Sequence, residues 1–235
     1  GVNVLAPAAE SGTVVARLRG SAWSANLVYN LGLVILGLAA AWTMTSLTDN
    51  PVLVSSVQTM SSLSFVVFAI PLGLATDAVG HRTMMLGSQV WMLLVTGFLG
   101  FVALPGTIEL TPTWLLVTVF LVGMGTVVQQ SSWKPFLYEL VPRDRVVDAL
   151  SYNSLSSDIG RAAGPVIGGY LMGFFGPPVA ILSSAASHLF MLGVLKTATL
   201  GRPRNRADAG SRGSLRQAWD LLRRSPNLYG PTIRT

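Results

Sequence analysis

The chain has 235 residues, of which 51% are hydrophobic and only 11% charged, with a formal net charge of +6. Soluble domains carry roughly 25% charged residues, so this composition excludes an ordinary soluble domain and belongs to the membrane class. There is no cysteine, and the two histidines, His81 and His188, stand far apart with no ligand spacing around either. Disulfides and thiolate chemistry are therefore excluded, and neither a metal site nor a cofactor is expected.

Residues 1–22 form a short lead-in rich in small residues, with Arg17 and Arg19 just before the first apolar run. That run, Trp23 to Leu47, is uncharged and longer than the h-region of about 7 to 15 residues in a signal peptide, so it reads as a membrane span. Further uncharged runs follow at Pro51 to Thr76, Thr83 to Thr107, Leu110 to Trp133 and Pro177 to Leu195. Each is near the ~20 residues that cross a bilayer. With Ala149 to Phe175 they predict an all-α polytopic membrane protein with a six-helix transmembrane domain over residues 23–196.

The connections set an orientation. Thr48 to Asn50, Ile108 to Glu109 and Gly176 contain no Lys or Arg, whereas the opposite side carries Arg17, Arg19, Arg82, Lys134, Arg143, Arg145 and Lys196. The positive-inside rule then predicts that both ends of the chain are cytoplasmic, in a plasma (cytoplasmic) membrane.

Residues 197–235 are basic and polar. Within them Ser214 can cap a short amphipathic helix over 214–224, with Leu215, Ala218, Trp219 and Leu222 at helical spacing. Its expected partner is the inner membrane surface, because basic residues here match topology and attraction to anionic lipid. Nucleic acid is not an expected partner.

Two stretches stand out. The second and third spans are joined by a connection too short for anything but a tight hairpin, with Gly73, Asp77, Gly80 and Arg82 at fixed offsets. Asp77 can bond the turn backbone or Arg82, and Gly80 permits a positive φ. The fifth span carries an acid and a base, Asp158 and Arg161, three residues apart, where a helix puts them within reach of each other. Charges at bilayer depth need a partner or a wet cavity. They fit either a transport role or a lock between helices.

In the same span Gly160, Gly164 and Gly168 recur every fourth residue, with Gly169 and Gly173 as a second pair, and Pro165 lies between them. Such a stripe lets another helix approach backbone to backbone, and the proline is expected to bend the helix. If the span starts near Asp148, Asp158 lies ~15 Å along it, close to the midplane. Other polar residues in the spans that can line a pathway are Asn26 and Asn30, Gln58, Gln89, Gln129 and Gln130, Asn153 and His188. Taken singly, most such side chains hydrogen-bond between helices.

The Gly-x-x-x-Asp-x-x-Gly-x-Arg loop at Gly73 to Arg82 resembles the signature loop of the major facilitator superfamily. Gly164, Pro165, Gly168 and Gly169 resemble its Gly-Pro-x-x-Gly-Gly antiporter motif. Leu140 to Arg145, with Asp148-Ala149-Leu150 and Arg161-x-x-Gly-Pro, is similar to the exporter branch that includes siderophore and macrolide efflux proteins.

The resemblance implies two six-helix halves, each of two inverted three-helix repeats, with this chain as the N-terminal half and a second half as partner. A trace of the repeat is the shared spacing of Gly73, Asp77 and Gly80 with Gly169, Gly173 and Gly176. Asn227 to Thr235 would then approach a seventh span. It also implies proton-coupled export of a small molecule, with the Asp77 to Arg82 hairpin holding the cytoplasmic gate and Asp158 or His188 as the titrating group. The alternative is a non-transporting six-span scaffold or assembly subunit. An enzyme is not expected, since no cluster of nucleophile, base and orienter appears.

Overall fold

The computed structural model describes residues 6–106, 109–140 and 146–200. The chain divides into a unit from Gly1 to Arg202 and another from Pro203 to Thr235. The latter falls outside the described residues, as do the helix expected at 214–224 and the loop residues Ile108, Arg143 and Arg145.

Among the described residues there are six helices and no strand: α1 (Ala6–Leu47), α2 (Pro51–Val79), α3 (His81–Val102), α4 (Pro112–Leu140), α5 (Val146–Phe175) and α6 (Pro177–Leu200). α1 begins at Ala6, within the stretch read as a lead-in. Five of the helices are long and apolar enough to cross a membrane. α5, with 30 residues, has the length, ~45 Å at 1.5 Å per residue, but Asp158, Arg161 and its serines and glycines lower its hydropathy. Large apolar side chains such as Val66, Ile70, Leu94 and Leu189 face outward, as a surface solvated by lipid requires.

Local chemistry fixes the turns. Asn50 caps α2 by accepting from the Val52 N–H at 2.9 Å, and Pro51 opens the helix where a missing N–H costs nothing. α2 and α3 are separated by one residue, Gly80, at φ 100°, whose N–H donates to the Thr76 carbonyl at 2.9 Å. α5 and α6 are separated in the same way by Gly176 at φ 84°, whose N–H donates to the Met172 carbonyl at 3.0 Å.

Nothing lies within 4 Å of a Cβ added at Gly80, so only its backbone conformation resists a side chain. Gly80→Ala is expected to lower the thermal midpoint in detergent through about 1–3 kcal/mol of strain. Gly73→Ala, inside α2 with open space around it, is expected to raise stability slightly, by up to about 1 kcal/mol.

The packing has an internal symmetry. α1 packs chiefly on α5 and α6, α4 packs chiefly on α2 and α3, and α3 packs on α6. Exchanging each helix with the one three places along maps this set onto itself. Because successive helices reverse direction, that exchange is an inversion, as expected of inverted three-helix repeats. The equivalent Gly80 and Gly176 turns obey the same exchange, which gives the faint Gly-spacing repeat a structural counterpart.

The interior has three levels. One apolar cluster contains Ile35, Leu36, Met44, Met92, Leu99, Leu115 and Ile181. A second, toward the basic end that carries Arg82, Lys134 and Lys196, contains Ala22, Ala25, Met85, Trp133, Phe136, Met191 and Leu195. Between them, at the middle numbers of three of these helices, α3, α4 and α6, lie the buried polar residues Gln89, Gln129, Ser132, Ser184 and His188.

Candidate functional site

The glycine stripe of α5 meets α1. A Cβ at Gly160 would lie 2.8 Å from the Asn30 Cβ, 3.2 Å from its carbonyl carbon and 3.3 Å from the Leu31 nitrogen. One turn on, Gly164 faces Val34 at 2.6 Å, and Gly168 faces Ile35 and Leu38 at 3.4 Å. The two helices therefore run parallel in fixed register, with the side chains of Asn30, Val34 and Leu38 over successive glycines. Gly169 and Gly173 have nothing within 4 Å. The second glycine pair thus makes no close contact, and the small-residue seam is a single row. α5 continues as helix through Pro165, which is exposed.

Asp158 and Arg161 lie away from that seam, and both are exposed. The pairing that their spacing allows does not form. Where water solvates them, opposite charges gain too little from each other to hold two flexible side chains in one geometry. α5 therefore presents a separate carboxylate and guanidinium, flanked by exposed Tyr152, Leu155 and Tyr170.

Asn153 sits near the N-terminal end of α5 and ties three helices together. Its Oδ1 accepts from Asn26 Nδ2 of α1 at 3.1 Å and from Trp133 Nε1 of α4 at 2.6 Å. Beside it, Trp23 Nε1 donates to the Tyr152 carbonyl at 3.0 Å. Asn30 is turned back on its own helix, donating to the Asn26 carbonyl at 2.7 Å. Of the remaining pathway candidates, Gln58 is exposed on α2 and joins neither group.

His188 is fully buried. Its Nδ1 lies 3.1 Å from Gln89 Oε1, and Gln89 Nε2 donates to Gln129 Oε1 at 2.9 Å. The Tyr29 ring stands edge-on to the imidazole with centroids 5.7 Å apart. Four helices thus contribute one residue each. Five buried atoms around this chain have no protein partner: Tyr29 Oη, Gln129 Nε2, Ser132 Oγ, Ser184 Oγ and His188 Nε2. At about 1–3 kcal/mol per unpaired buried group, their summed cost would rival the about 5–15 kcal/mol by which folded proteins are stable.

In the hairpin, Asp77 and Arg82 are both exposed beside the Gly80 turn, and Gly73 faces open space. The sequence alone places Gln89 and Gln129 among the residues that can line a pathway, but it joins them neither to each other nor to His188, and it assigns no role to Tyr29 or Trp133. The signal available was chemical: a glutamine or an indole N–H inside an apolar span must find a partner on another helix.

Searches of curated proteins and of solved structures return no match. The family described as transmembrane secretion effector matches residues 13–234, nearly the whole chain. With the six-helix, internally inverted architecture, this match identifies a transporter by more than its hydropathy. The chain belongs to the transmembrane secretion effector family of the major facilitator superfamily and is an integral membrane transport protein.

Proposed function

We propose that the chain is the N-terminal six-helix half of a proton-coupled exporter of small molecules, of the kind that expel drugs or siderophores. It would work by alternating access against a second six-helix half, supplied by the same parent chain or by another subunit. The protein would lie in the plasma (cytoplasmic) membrane with both ends of the described helical unit toward the cytoplasm. The Gly73, Asp77, Gly80 and Arg82 hairpin would guard the cytoplasmic gate.

One observation carries this reading: Asp158 and Arg161 are exposed and unpaired on the outer face of α5. A lone carboxylate and a lone guanidinium at bilayer depth are stable only against water or a polar protein surface. A transport path along α5, completed by a second half, supplies both. The α1–α5 glycine seam would keep that face rigid while the halves rock.

The test is proton-linked flux in proteoliposomes containing the full-length protein, with cationic and zwitterionic drugs and catecholate compounds offered as substrates. The expected result is substrate-dependent proton movement that vanishes when the proton gradient is dissipated. Absence of flux across the whole panel, with the protein folded and correctly inserted, would favour an assembly or scaffold role instead.

A further inference from the structure

The polar level between the two apolar clusters is not explained by a transport path along α5. Ser132 stands one turn from Gln129 on α4, toward the basic end, and Ser184 one turn from His188 on α6, toward the opposite end, so the unpartnered hydroxyls flank the His188–Gln89–Gln129 chain on both sides. We propose that Tyr29, Gln89, Gln129 and His188, with Ser132 and Ser184, form a binding site for internal water inside this helical unit, separate from the charged face of α5.

The chemistry of the donor set points to water. The Gln89 amide is used at both ends, its Oε1 toward His188 Nδ1–H and its Nε2–H toward Gln129 Oε1. That leaves an acceptor, His188 Nε2, at the α6 end and a donor, Gln129 Nε2–H, at the α4 end, with the hydroxyls of Tyr29, Ser132 and Ser184 able to act either way. Turning both amides over and moving the imidazole proton to Nε2 reverses the chain, so that His188 donates and Gln129 accepts. Water both donates and accepts and can serve either arrangement. An apolar ligand would leave all five atoms unpaired. A bound ion has no charged side chain to meet it, since no acid or base among the described residues pairs with His188. A buried water needs two to four polar partners, and the unpartnered groups along this chain and beside it are the ones that can supply them.

The site makes a fully buried imidazole an exchanging one, and that is measurable because the chain has two histidines. The protein is labelled with ring-¹⁵N histidine and with methyl-¹³C methionine and isoleucine, placed in lipid bilayers, and studied by solid-state NMR with magnetisation started on water protons. A His81→Gln variant identifies the His188 signal. The expected result is that His188 Nε2 receives magnetisation from water several-fold faster than the buried methyl carbons of Met92 and Ile181. Build-up at the same slow rate as those methyls would overturn the proposal, because it would mean a dry site. Should the His81→Gln variant not fold, the slower-building of the two ring signals in the unaltered protein gives the same decision.

Discussion

Gly160→Val is expected to remove most of the folded, monodisperse protein from detergent extracts, while Gly169→Val leaves it nearly unchanged. The two residues sit on the same helix in similar sequence surroundings, and the difference is what they face. A side chain at Gly160 meets the Asn30 Cβ and the backbone at Asn30 and Leu31, and a helix backbone cannot step aside as a flexible side chain can. Even one or two extra methylenes in a well-packed contact cost about 1–3 kcal/mol, and here the whole α1–α5 seam must open. At Gly169 a side chain meets nothing within 4 Å. Gly164→Ala lies between the two, since it presses on the Val34 side chain, and Val34→Ala is expected to recover part of its loss. Size-exclusion profiles and thermal midpoints of the four variants check the ordering.

The second large effect concerns transport rather than folding. Asp158→Asn keeps the shape of the side chain and removes its ability to carry a proton. If the carboxylate were half of a structural lock, the change would lower stability. Asp158 and Arg161 are exposed and unpaired in this unit, so the thermal midpoint should hold to within a degree or two. Proton-coupled flux should instead fall tenfold or more, equivalent to at least about 1.4 kcal/mol in the barrier. Substrate exchange without a proton gradient should survive. Arg161→Ala should depress both modes, and Arg161→Lys should restore part of the activity by returning the charge. A stability loss with unchanged flux would assign the pair to packing.

Much of this architecture is written in local sequence. Uncharged runs gave the helices, and the single residues Gly80 and Gly176 gave two of the turns, because a bilayer forces each apolar run into a helix and a short connection forces a hairpin. The α5 stripe was legible as a close-contact surface, but its partner α1 was not. Nothing in Gly160, Gly164 and Gly168 names Asn30, Val34 and Leu38, some 130 residues away. The second stripe at Gly169 and Gly173 shows the same limit from the other side, since spacing alone does not say which small residues are covered. Asp158 and Arg161, which their spacing puts within reach of each other, do not pair, because helical spacing permits contact without rewarding it. The His188, Gln89 and Gln129 chain escaped notice because it joins positions 40 and 99 residues apart, and each residue alone looked like ordinary interhelical glue.

An outer face of α5 that lines an aqueous path exposes a thiol placed on it to water-soluble reagents, and the absence of cysteine from the chain permits a direct measurement. Ala162 is exposed on the α5 face that also carries Asp158, so Ala162→Cys leaves both charges in place. Leu189, 59% exposed on α6, supplies the control as Leu189→Cys. A membrane-impermeant maleimide reacts with the thiolate, which forms in water and not in hydrocarbon. Rapid modification of the Ala162→Cys protein in intact membranes, reduced by a transported substrate, with the Leu189→Cys protein left unreacted, is the predicted result. Equal inertness of the two would place the α5 face in a dry environment and contradict the account.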